Sequence, residues 1–154
     1  MEKNHLDHVD RQILKHLQSD ASISIATLGE LVGLSQTPCW KRVRRLESEG
    51  FIRRRVTLLD GEKVGLGVVV FVAIRTSEHN DQWLQAFAKA VSGIPEVVEF
   101  YRMSGEVDYL LKVVCSGIPD YDRVYKKLIK ATKLHDVTSS FAIEQIKYST
   151  ELPL

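Results

Sequence analysis

Apolar residues recur every three or four positions through the first third of the chain and then give way to a different rhythm. Leu6, Val9, Ile13, Leu14 and Leu17 share one face of a helix ending near Ser19, with Asp7 and Asp10 at the end where a helix favours negative charge. Ser24 is placed to cap a second, short helix whose stripe is Leu28, Leu31 and Val32, and Gly33 suits a left-handed stop. Ser35 then caps a third helix with Pro38 in its first turn, where a missing amide hydrogen costs little. In that helix Cys39, Val43 and Leu46 form the inward stripe. Gln36, Thr37, Trp40, Lys41, Arg44 and Arg45 are thereby turned outward. Helix, Gly-containing turn and second helix make a helix-turn-helix pattern, whose second helix enters a DNA major groove.

After Gly50 the rhythm shortens. "FIRRRVTLLD" has β-forming residues around three consecutive arginines and reads as a strand or short wing, and "DGEKVGLG" reads as a linker. Beyond it lie a strand at 68–74, a helix at 81–93, the strands "VVEFYRM" and "YLLKVVC" joined by "SGEVD", a helix in "YDRVYKKLIKA" and a last strand in "SSFAIEQIKY". This βαββαβ order is ferredoxin-like. The expected class is α+β, with a helix-turn-helix domain at 1–52, a strand and linker at 53–66, and a ferredoxin-like domain at 67–154. Two helices cover one face of a four-stranded sheet, yet strand 68–74 is apolar on both faces, with Val69, Phe71 and Ala73 on the second. A second copy of the chain is the simplest cover.

Charge sharpens the first domain and leaves the second unchanged. The 154 residues are 44% hydrophobic and 27% charged with a formal net charge of +1, so the whole chain advertises no polyanion partner. Positive charge is nevertheless concentrated, with Lys41, Arg42, Arg44, Arg45, Arg53, Arg54 and Arg55 against Glu47 and Glu49 between positions 36 and 55. Lys41, Arg44 and Arg45 are candidates for phosphate or guanine contacts, since an arginine fork suits both acceptors. Ser35 and Thr37 lie at the phosphate-facing start of the helix. Trp40 either donates its indole N–H to a phosphate or packs on the first helix, and Arg42 is open to an internal ion pair with Glu47 or another acid. No metal-ligand spacing and no catalytic constellation stands out, so neither a cofactor nor an enzymatic role is expected. Cys39 and Cys115 are expected as reduced thiols. The opening stretch lacks the uninterrupted apolar core of a secretory signal, and no segment approaches a membrane span, which points to the cytosol.

"LDHVDRQILKHLQSDA", "LGELVGLSQTPCWKRVRRLESEGFI", the "GLG" exit and "MSGEVDYLLKV" together resemble the Lrp/AsnC family of transcription regulators across nearly the whole chain. "TPCWKR" and the closing "VTSSFAIEQIKYSTELPL" are most similar to regulators that respond to cysteine and control its detoxification. The resemblance implies a recognition helix at 36–49 that binds double-stranded DNA. It also implies a ligand-sensing (RAM) domain that dimerises through its sheet, and homodimers that assemble further, often to octamers. It places a small amino-acid effector at the Gly-x-x-Asp turn, at Met103, Ser104, Gly105, Asp108 and Tyr109. Thr138, Ser139 and Ser140 would come from a neighbouring subunit. From spacing alone, the same turn reads as a hairpin in which Gly105 permits a positive φ and Asp108 caps local backbone. Two other classes stand beside this reading: a nucleoid-like protein that wraps DNA with little preference, and an amino-acid-processing enzyme.

Overall fold

The structure is a computed structural model that describes residues 5–77, 80–131 and 136–154. Residues 1–4, at the start of the expected DNA-binding domain, lie outside the described part. The chain divides into two compact units, Met1–Leu58 with Lys147–Leu154, and Leu59–Ile146.

The first unit holds α1 (His8–Ser19), α2 (Ile25–Val32) and α3 (Gln36–Ser48). Asp7 and Asp10 close a capping box on α1: Asp7 Oδ1 accepts from the Asp10 N–H at 2.7 Å, and Asp10 Oδ2 accepts from the Asp7 N–H at 3.2 Å. Ser24 caps α2 by accepting from the Thr27 N–H, and Gly33 ends it at φ 71°. The three short helices are held by one shared core of Ile13, Leu17, Leu28, Cys39, Val43 and Leu46. Each such side chain contributes roughly 1.5–3 kcal/mol by leaving water, which local helix propensity cannot supply in pieces this short. The helix-to-helix turn is tight because Gly29 has no side chain: a Cβ there would stand 2.7 Å from the Leu34 carbonyl oxygen.

The second unit has β1 (Val68–Arg75), α4 (Asp81–Ser92), β2 (Val97–Arg102), β3 (Tyr109–Cys115), α5 (Ile118–Ala131) and β4 (Asp136–Phe141). Its antiparallel sheet runs β2-β3-β1-β4, the ferredoxin-like order. Val70, Val72, Ile74, Tyr109, Leu111, Val113 and Cys115 point from the central strands into a core shared with Phe87 and Val91 of α4 and with Val124 and Leu128 of α5. On the other face Phe71 is 41% exposed.

Two expected strands differ from the structure. Residues 53–60 carry β-forming side chains but form no strand, and among the described residues none pairs with them. The last strand is Asp136–Phe141, earlier than "SSFAIEQIKY" suggests, since β1 pairs from Val70 to Arg75 with that stretch and leaves 143–149 without a ladder. The last eight residues return to the helical unit, a long-range contact that hydrophobic periodicity does not encode.

Candidate DNA interface and effector turn

The buried stripe of α3 determines what the rest of that helix displays. With Cys39, Val43 and Leu46 at 0–2% exposure, Ser35, Gln36, Thr37, Trp40, Lys41, Arg44 and Arg45 all lie on exposed positions. Ser35 occupies the N-cap position, but its side chain makes no capping hydrogen bond. The amide donors at the start of this helix therefore remain available to an anion, which the helix dipole favours there.

The cations are not equivalent. Arg42 points inward, donating to Asp7 at 2.6 Å and to Asp10 at 2.8 Å. Its partner is thus another acid and not Glu47. Arg45 also bonds the Asp10 carboxylate and approaches Glu49 at 4.0 Å, while its side chain stays 42% exposed. Arg44 is 66% exposed, pairs with Glu47 at 3.2 Å and lies over the Trp40 ring, 5.9 Å from its centroid. Lys41 is exposed and has no acidic partner among the described residues. Trp40 is 50% exposed and is not among the residues of the helical core.

Asp10, read in the sequence only as a favourable charge at the start of the first helix, has a further role. It is fully buried, yet its carboxylate gathers Arg42, Arg45 and the Asp7 N–H. These bonds couple α1 to α3 and fix the rotation of α3. The only sequence signal is an acid at an inward helical position, whose partners lie more than thirty residues away. Hydrogen bonds from the Asp10 N–H and Arg42 hold the Asp7 carboxyl down at about 2.

In the second unit the turn 103–108 is built as a brace. Gly105 sits at φ 126°, a conformation other residues rarely adopt. The Met103 N–H donates to the Asp108 carbonyl at 2.8 Å, the Asp108 N–H to the Ile74 carbonyl at 3.0 Å, and the Thr76 N–H to Asp108 Oδ2 at 2.8 Å. Asp108 thus ties the turn to the end of β1, through its side chain and its N–H. Met103, Ser104 and Gly105 are exposed beside it. Tyr109 is 4% exposed within an aromatic cluster with Trp83, Phe87 and Phe100. On β4, Thr138 and Ser140 pair opposite Ala73 and Phe71 on the open face, while Ser139 turns inward to bond the Tyr121 hydroxyl. The eight candidates therefore face different ways: Met103, Ser104 and Gly105 outward at the turn, Thr138 and Ser140 onto the open face, and Tyr109 and Ser139 toward the core.

Cys39 and Cys115 are both buried free thiols whose pKa values are raised by burial, which keeps them protonated and unreactive. Among the described residues no cluster of ligating side chains suits a metal ion, and no helix is long and apolar enough to cross a membrane.

Residues 6–47 match the AsnC-type helix-turn-helix domain model, and residues 69–152 match the Lrp/AsnC ligand binding domain model. The chain is 52% identical to the glutamate uptake regulatory protein of Zymomonas mobilis over 97% of its own length and 91% of that protein. It is 49% identical to the DNA-binding transcriptional activator DecR of Escherichia coli, over 97% and 99% of the two chains. The crystal structure of a Neisseria meningitidis transcriptional regulator in complex with L-Met superposes with a TM-score of 0.91 at 33% identity, covering 97% of each chain.

Proposed function

The chain belongs to the Lrp/AsnC family, and from that premise we infer that it is a transcriptional regulator, not an enzyme, whose operator binding responds to a small amino acid. The observation that carries the DNA-binding reading is α3 itself. Its inner stripe is buried, its rotation is fixed by Asp10, and its outer face offers Ser35, Gln36, Thr37, Trp40, Lys41, Arg44 and Arg45. In a major groove, Lys41 and Arg44 take phosphate or guanine contacts and Arg45 reaches a phosphate from its ion pair. Ser35 and Thr37 present a hydroxyl and open amides to the backbone at the start of the helix. Such a protein works in the cytoplasm, where the DNA is.

The effector enters at the exposed turn Met103, Ser104 and Gly105, above Asp108 and Tyr109. A carboxylate has capacity for more than the one bond Asp108 accepts from Thr76, so an ammonium group can share it. As the family resemblance implies, Thr138, Ser139 and Ser140 contribute from a neighbouring subunit, in a homodimer that assembles further, to an octamer. The relative solved with L-Met supports an amino acid as the ligand class. Cysteine, from the resemblance to cysteine-responsive regulators, is the first to test, and glutamate, from the uptake regulator, the second. Control requires that the ligand favour one arrangement of subunits over another, since equal affinity for both shifts nothing.

The decisive experiment is a fluorescence-anisotropy titration of DNA upstream of the chain's own and neighbouring genes. It is run against random competitor DNA, at several salt concentrations and with a panel of amino acids including cysteine and glutamate. A regulator prefers one upstream fragment by at least a hundredfold over random DNA and loses affinity steeply with salt, and an amino acid shifts that affinity. Equal binding to all fragments would instead identify an architectural DNA-wrapping protein.

A further inference from the structure

The helical unit is not made from the N-terminal part of the chain alone. The chain leaves it at Leu58, builds the whole second unit, and returns with Lys147–Leu154. The returning segment is held by specific bonds. The Gln18 side-chain amide pairs with the backbone of Leu152 on both sides: its Nε2 donates to the Leu152 carbonyl at 2.8 Å, and its Oε1 accepts from the Leu152 N–H at 2.9 Å. This is the pattern of a β-ladder step, made by a side chain. Beside it the Ser19 hydroxyl donates to Glu151 at 2.7 Å. Leu152 and Leu154 form one wall of a groove of about 820 Å³ whose other walls include Leu6, Leu14, Phe51 and Ile52. The fit is incomplete, since Leu152 remains 68% and Leu154 46% exposed.

We propose that Lys147–Leu154 is a releasable strap on α1, and that operator affinity depends on its being docked. Two physical features support this. The docked bonds all fall on the end of α1, the helix that orients α3 through Asp10, so release loosens the support of the recognition helix. Only residues 142–146 separate the strap from β4, which carries Thr138, Ser139 and Ser140, so the strap and that strand are tethered by a short run of backbone. Half-exposed leucines and a few hydrogen bonds give a contact weak enough to open while the fold stays intact. The dependence on operator affinity rests on the regulator reading above; the docking itself does not.

The test uses amide hydrogen exchange on the DNA-free chain and operator binding in parallel, for three proteins: the full chain, a chain ending at Tyr148, and Gln18→Ala. Docking predicts faster exchange at residues 14–21 in both variants, unchanged exchange in β1 and β3, and recovery in the shortened chain on adding a synthetic peptide of residues 147–154. Operator affinity falls roughly fivefold or more in the shortened chain. Unchanged exchange at residues 14–21 in both variants would overturn the strap, and altered exchange with unchanged affinity would overturn its role in DNA binding. Protection of residues 14–21 that disappears on dilution would assign the docked tail to a second copy and overturn the intramolecular strap. If the shortened chain does not fold, Gln18→Ala decides by the same exchange readout. A full chain that binds no operator sinks the regulator reading, while exchange still judges the docking.

Discussion

Asp10 shows how much one inward acid can organise. It is wholly buried, and two guanidinium groups and a backbone N–H converge on it. Removing it takes away the carboxylate that joins the partly exposed Arg42 and Arg45 to α1, so Asp10→Ala lowers the stability of the helical unit by about 1–3 kcal/mol, read by urea unfolding. Its neighbour Asp7 makes the same cluster sensitive to acid. The folded carboxyl titrates at about 2, below the usual 3.8, so its stabilising contribution is complete above pH 4 and is lost as pH falls from about 4 toward 2. A thermal midpoint followed across that window drops more steeply for the natural chain than for Asp7→Asn. The two cysteines behave oppositely: buried and protonated, neither reacts with a thiol reagent until the chain unfolds.

At the scale of elements, the pair α2 and α3 converts packing into a displayed surface. Gly29 sets their closeness, and Gly29→Ala drives a methyl group against the Leu34 carbonyl, which is backbone and yields little. The expected cost is about 1–3 kcal/mol by denaturant unfolding, with the effector domain unaffected. Lys41→Ala and Arg44→Ala leave the fold intact but each lower operator affinity, and each reduces the slope of log K against log salt by about 0.9 if it neutralises one phosphate. These helices were legible in the sequence because period, cap and stop agree at Ser24, Gly33 and the stripe of Cys39, Val43 and Leu46, while Ser35 holds the N-cap position without the expected side-chain bond. What periodicity cannot report is partnership. It marks residues 53–57 as β-forming but supplies no neighbouring strand, and it sets Arg42 apart for an internal ion pair without showing that Asp10 bonds Arg45 as well. The effector turn was half legible for the same reason: Gly105 announces a positive φ, while the bond from Thr76 to Asp108 joins positions thirty-two apart.

At the scale of the whole molecule, the open face of the sheet is what a single chain leaves unfinished. Cross-strand rows run across it, Glu99, Lys112, Phe71 and Ser140 in one and Tyr101, Leu110, Ala73 and Thr138 in the next. Phe71 and Ala73 lie on the central strand. Glu99, Lys112 and Tyr101 are tied together by hydrogen bonds on one side, and hydroxyls flank the other. An apolar middle between polar margins is the composition of a protein interface, where the middle excludes water and the margins fix register. Phe71 is the side chain that a facing copy would bury, and a charge there would be left without a partner. Phe71→Lys therefore raises the dimer dissociation constant by roughly a hundredfold, read as a concentration-dependent fall in mass by light scattering. Because the proposed effector site draws its turn from one copy and its β4 residues from another, the same substitution removes the amino-acid response of operator binding. The helical unit, which has its own core, keeps its fold. A Phe71→Lys chain that stayed dimeric and still answered the amino acid would place both the interface and the effector site elsewhere on the molecule.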